Sequence, residues 1–280
     1  MRSSKPDIAG VDPALFSFAL DHLTVIETTP QGLAEVAAEA GYARICTFVR
    51  SIDGLGGPAF DLTSDAGERR ATRASLDALS LTVDVAYPFT VSDRTGEGDF
   101  ERDLACAAEL GACFANLLIF ARDEGRILAE TARFHERARE YGLETVVEMV
   151  PASSVRTLTQ AAGLVRSLGA PPDLRINLDA LHLYRSGETP EAVVPFRAEI
   201  GYLQVCDGPL ETPAEGRRVE ASLQRLMPGA GAFDLGALMR LLPAVPASLE
   251  IPDGSARAKG VGPVERARGA MEAMQALLLV

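Results

Sequence analysis

AREYGLETVVEMVP, residues 138–151, condenses the fold into one stretch. A polar amphipathic run ends near Tyr141, and Gly142 can take the left-handed conformation that closes a helix. A short apolar run then carries the chain to a single acid, Glu148. That is a helix feeding a buried strand. The same punctuation recurs in AEAGYARI (38–45) and AELGACFA (108–115).

Working outward, short apolar runs alternate with longer amphipathic ones along the whole chain. Strands are expected at 15–26, 43–49, 80–87, 114–120, 143–149, 174–180, 201–207 and 247–252. Helices are expected between them at 30–40, 66–79, 99–111, 123–141, 153–168, 189–196, 234–242 and 263–278. Eight strands, each covered by the helix that follows, predict a single-domain α/β protein over residues 1–280, a (β/α)₈ TIM barrel. The competing architecture, an open doubly wound sheet, would carry a glycine-rich phosphate turn after an early strand. GLGG at 54–57 lacks that spacing and follows a loop.

A 280-residue chain that is 47% hydrophobic can bury one large core. Its net charge of −12 would repel phosphate backbones and anionic lipid, so neither nucleic acid nor membrane is expected as a partner. Lys5 and Lys259 are the two lysines, which leaves arginines or helix N-termini to meet an anionic substrate group. Cys46, Cys106, Cys113 and Cys206 form no CxxC pair, and the opening MRSSKPDIAG lacks a signal-peptide apolar run. Both features predict a reduced, cytoplasmic protein. Homo-oligomers through the outer helices are compatible with this reading.

In such barrels the active site forms at the C-terminal ends of the strands. Glu148, Asp179, Gln204 and Glu250 interrupt or end the apolar runs of strands 5 to 8 at matching depths. Each acid alone could simply end a strand or cap the next helix. Together they converge on one side of the mouth, where three carboxylates repel unless a cation or protons neutralise them. The interval 208–233, longer than the other connections and rich in Gly, Pro and Arg, reads as a lid or specificity loop.

Taken in order, these pieces resemble the xylose isomerase-like TIM-barrel superfamily of sugar phosphate isomerases and epimerases. The resemblance rests on HLTV near strand 1, Glu148, LDALHLYRSGETP (178–190), the strand-7 segment, RLMPGAGAFDL (225–235) and Glu250. It implies a metal ion held by Glu148, Asp179, position 204 and Glu250. Position 204 departs from the family's His-x-x-Asp, reading Gln204-Val205-Cys206-Asp207. An all-oxygen set of this kind favours Mn²⁺ or Mg²⁺ over Zn²⁺. Three histidines are too few for the trinuclear zinc site of the endonuclease IV branch.

The resemblance also implies that His182 and Arg225 contact substrate, with Arg217 or Arg218 as alternatives to Arg225. His22 could line the pocket from the side of strand 1 or serve a buried structural role. Asp207, of opposite parity to Gln204, is expected to orient ligands without binding the ion. Cys206 is expected to pack, and His135 to lie on an exposed helix face. Glu148 and Glu250 would act as catalytic base and acid around an enediolate. The expected function is therefore a metal-dependent isomerase or epimerase of a sugar-like polyhydroxy carbonyl compound. Two alternatives stay open: a dehydratase of the inosose or 3-dehydroshikimate type, and a non-catalytic sugar-binding barrel.

Overall fold

The computed structural model describes residues 16–96 and 98–279. Leu15, where the first strand was expected to begin, and the N-terminal segment with Lys5 lie outside them. The strands are β1 (Phe18–Asp21), β2 (Arg44–Phe48), β3 (Thr82–Val91), β4 (Ala112–Ile119), β5 (Glu144–Glu148), β6 (Leu174–Asp179), β7 (Ile200–Val205) and β8 (Ala247–Leu249). The helices are α1 (Pro30–Glu39), α2 (Ala66–Ala78), α3 (Glu101–Leu110), α4 (Glu124–Glu140), α5 (Leu158–Ser167), α6 (Ala180–Arg185), α7 (Arg217–Leu223), α8 (Leu235–Leu241), α9 (Gly254–Ala258) and α10 (Pro263–Leu278).

Local chemistry sets these boundaries. Side chains of Thr29, Asp65, Asp123 and Thr157 accept backbone N–H groups at the starts of α1, α2, α4 and α5, satisfying donors that a first helical turn leaves unpaired. Gly41, Gly111 and Gly142 have φ of 86°, 77° and 75°, the left-handed closure that their place in the sequence predicts.

All neighbouring strands pair in parallel, and the sheet closes on itself because β1 pairs with both β2 and β8: Leu20 faces Ile45 on one side and Leu249 on the other. The result is a closed eight-stranded barrel, as the sequence predicts. Along β7, a Cβ on Gly201 would come 2.7 Å from Cβ of Arg175, so the approach of β6 requires glycine there. Apolar residues fill the barrel and the layer between strands and helices.

Some expected boundaries shift for identifiable reasons. The first strand stops at Asp21, whose carboxylate accepts the Leu23 N–H and winds His22–Val25 into a 3₁₀ turn. The helix expected from 153 starts at Leu158, and the one expected at 189–196 is a 3₁₀ segment containing Pro195. Helix α6 directly after β6 was not foreseen, nor were α7 inside 208–233 and α9. His135 is buried against β5, with Nδ1 3.3 Å from Thr145 Oγ1, not exposed as expected.

Candidate active site

Strand register brings the interrupting polar residues together. Glu148 pairs with Asn177 across β5 and β6, and Asp179 with Gln204 across β6 and β7. Glu250 follows the end of β8, its N–H bonded to Val205 O at 3.0 Å. A cavity of about 530 Å³ opens at this end of the barrel, with Glu148, His182, Gln204, Arg225 and Glu250 in its wall.

Asp179 caps the helix that follows its strand, one of the roles its position suggested. Its Oδ1 accepts the N–H groups of Leu181 at 2.6 Å and His182 at 3.3 Å, capping α6. Its Oδ2 is occupied by the Arg225 guanidinium, Nη1 donating to it at 2.7 Å. Capping also aims His182, whose Nε2 lies 3.5 Å from Glu148 Oε1 and 3.9 Å from Asp179 Oδ2. Glu148, Asp179 and His182 thus offer three donor atoms within 4.8 Å of one another, a group that could hold a metal ion. Two carboxylates and an imidazole form a donor set that divalent transition ions accept.

Gln204 and Glu250, the other two residues of the implied ligand set, are not part of this group. Gln204 Oε1 accepts from Asn177 Nδ2 at 2.7 Å. Glu250 Oε1 accepts from Arg225 Nη2 at 3.2 Å, and its Oε2 is buried with no partner. Arg225 itself, expected to grip substrate, is buried and turned onto the acids: Nη1 donates to Asp179 Oδ2 at 2.7 Å. Burial, and then the neighbouring charge of Asp179, push the Glu148 carboxyl up to about 8. Glu250 is driven well above the usual carboxylate range by the same burial. Asp179, though equally buried, is held below its ordinary value by the Arg225 guanidinium and by His182. Burial lowers the His182 imidazole and favours its neutral, ion-binding form.

The remaining assignments divide. His22 is buried away from the cavity wall, with Nε2 3.0 Å from Thr28 O and Nδ1 accepting the Phe48 N–H at 3.3 Å. It is a structural histidine. Asp207 does not orient the mouth residues; its carboxylate gathers the N–H groups of Gly208, Gly229, Gly231 and Phe233 and shapes the Pro-Gly loop. Any Cβ on Gly231 would collide with that carboxylate. Arg217 and Arg218, both exposed, and Ala221 line the outer cavity, so α7 of the 208–233 segment forms part of its wall. Phe233 stacks on Tyr184 of α6 with ring centroids 4.1 Å apart. Cys206 is buried, with Sγ 3.5 Å from Arg225 Nη1.

Three contributors escaped the sequence reading. Asn116 donates to Glu148 Oε2, and Asn177 donates to Asn116 Oδ1 at 3.1 Å, so a chain of amides runs from Gln204 to Glu148. Asp21, bonded to Tyr87, is fully buried, and burial raises its carboxyl to about 6. The available signal was a polar residue inside each otherwise apolar run, Asn116 in FANLLIF, Asn177 in LRINLDA and Asp21 in FALDHL.

The sequence pattern of the xylose isomerase-like TIM barrel matches residues 34–278. No curated protein sequence matches the chain. Several solved structures share the fold. IolI with a bound zinc atom is 16% identical, with a TM-score of 0.75 over 94% of this chain and 98% of its own. The probable 3-DHS dehydratase AsbF of Bacillus anthracis is also 16% identical, with a TM-score of 0.69 over 93% and 99%. The D-allulose 3-epimerase of a Methylomonas species is 13% identical, with a TM-score of 0.68 over 94% and 98%.

Proposed function

This chain belongs to the xylose isomerase-like TIM-barrel family, and from that premise we propose that it is an enzyme moving a proton at a carbon beside a carbonyl group. Its substrate is a small sugar-like polyhydroxy carbonyl compound and its reaction an isomerisation or epimerisation. One observation carries the reading: Glu148 and Glu250 both face the cavity, and each is anchored through a single carboxylate oxygen. Asn116 holds Glu148 by Oε2, and Arg225 holds Glu250 by Oε1. The other oxygen of each remains for a substrate proton, Glu148 Oε1 beside His182 and Glu250 Oε2 with no partner. Proton transfer needs such positioned and only partly engaged groups.

The two glutamates approach from strands three places apart around the barrel. A substrate lying between them would have one carboxylate withdraw a proton while the other carboxyl returns one. A divalent ion held by Glu148, Asp179 and His182 would polarise adjacent carbonyl and hydroxyl oxygens and so acidify the C–H between them. The imidazole among these donors favours Mn²⁺ or Zn²⁺ over Mg²⁺. Neighbouring structures named as an epimerase and a probable dehydratase support this chemistry.

Purified protein with Mn²⁺, incubated in deuterium oxide with ketoses, inososes and dehydroshikimate, provides the test. The expected outcome is a product that retains the substrate's skeleton and gains deuterium at the reacting carbon. Loss of water would assign a dehydratase instead. Absence of turnover on every compound, with binding retained, would leave a sugar-binding barrel.

A further inference from the structure

Arg225 is more confined than a substrate-gripping residue needs to be. Its side chain is 2% exposed, and every nitrogen of the guanidinium is occupied. Nε donates to Ala221 O at 3.0 Å, Nη1 to Asp179 Oδ2 at 2.7 Å and Nη2 to Glu250 Oε1 at 3.2 Å. It therefore bridges two acids that enter from different strands, at the end of the barrel where the implied ion would sit. The carboxyls of Asp21, Glu148, Asp179 and Glu250 are all buried here, and the guanidinium offsets part of their mutual repulsion.

Asp179 has one oxygen to give. Backbone N–H groups of α6 use Oδ1, so Oδ2 must serve any cation in the mouth, and Oδ2 is also the oxygen that faces His182. A guanidinium and a divalent ion sharing it would be like charges a few ångströms apart in a buried site. We propose that Arg225 is a resident cation that competes with a divalent ion for Asp179. Binding the ion breaks the Arg225–Asp179 pair and turns the guanidinium into the cavity, where it can meet a substrate oxygen. Arg225 thereby sets how tightly the ion is held and is a positioning residue in its absence. The inference rests on the reading of Glu148, Asp179 and His182 as ion donors.

Calorimetric titration of the protein with Mn²⁺ alone, without substrate, tests it. Arg225→Met removes the competing charge at similar length and is expected to bind Mn²⁺ about tenfold more tightly than the parent, within the usual range for linked binding events. Arg225→Lys, which keeps the charge but loses the fork, is expected to fall between them. Equal or weaker binding by Arg225→Met overturns the competition while leaving the donor reading intact. Absence of Mn²⁺ binding in both proteins overturns the donor reading and this inference with it. Because Arg225→Met leaves two acids unpaired and can fail to fold, crystals of the parent soaked in Mn²⁺ give a second readout. Anomalous scattering should place the ion on Glu148, Asp179 and His182 with Arg225 beyond hydrogen-bond distance of Asp179 Oδ2. An ion there with the Arg225 bond still made overturns the proposal.

Discussion

The side-chain N–H of Asn177 meets Gln204 Oε1 at 2.7 Å. The amide oxygen at the strand-7 position is thus part of the Gln204–Asn177–Asn116 chain that steadies Glu148, and on the proposed reading His182 would supply the third donor beside the two acids. His182→Ala should therefore weaken Mn²⁺ binding by about tenfold or more, whereas Gln204→Ala should change it by less than about threefold. Parallel titrations of the two variants decide the order. The reverse ranking would restore the strand-7 position as the ligand.

Glu148→Gln and Glu250→Gln keep an oxygen in each side chain but remove its ability to take a proton. With Mn²⁺ saturating, kcat should fall by about 10²–10⁴-fold in each variant, the usual contribution of a general acid or base. A variant that turns over within about fivefold of the parent would reduce its glutamate to a ligand or an anchor.

Asp207→Ala leaves the N–H of Gly208 and three of the Pro-Gly loop, those of Gly229, Gly231 and Phe233, without their acceptor. Stability should fall by about 3 kcal/mol in urea unfolding, since the buried N–H groups of Gly208 and Phe233 would be left unsatisfied at a desolvation cost each. Limited proteolysis should then cut within 226–234. A loss under about 0.5 kcal/mol with an unchanged cleavage map would show that the loop is held by other contacts.

Burial lowers the His22 imidazole from 6.5 to about 4. The fold therefore prefers neutral His22, whose Nδ1 must stay unprotonated to accept the Phe48 N–H. The unfolded chain takes up its proton near pH 6.5 and the folded one only near pH 4, so this contribution is complete above pH 6.5 and disappears as pH falls towards 4. The loss should amount to about 3 kcal/mol across that window. His22→Gln should be less stable than the parent at pH 7, with the difference shrinking on acidification. Stability curves that stay parallel from pH 7 to pH 4 would refute the assignment.

The barrel was legible because its signals are local: helix-closing glycines, apolar runs of strand length and one acid at the end of β5 or β6. So was the gathering of Glu148, Asp179, Gln204 and Glu250 at one end of the barrel, since matching depth on consecutive strands is a matter of counting, whereas His182, on a helix, was implied by the resemblance alone. What a long side chain does at that depth is decided by partners far along the chain. Arg225 and Asp179 are 46 residues apart, and no spacing rule predicts their pairing. Helix α6 was hidden because one Asp179 oxygen caps it while the other pairs with Arg225, and only the structure separates the two uses. Asn116 and Asn177 sit in mid-strand rather than at a strand's C-terminal end, so the search for site residues at strand ends passed them by.

Tyr184 and His182 stand on the same short helix, one against Phe233 of the Pro-Gly loop and the other against the acids. Any displacement of Phe233 must therefore either break the Tyr184–Phe233 stack or carry α6 with it. If α6 moves, thermodynamic reciprocity would make the loop and any ion held at His182 effectors of one another: whatever the loop's ordering does to the ion's affinity, the ion would do, by the same factor, to the affinity for whatever the loop covers.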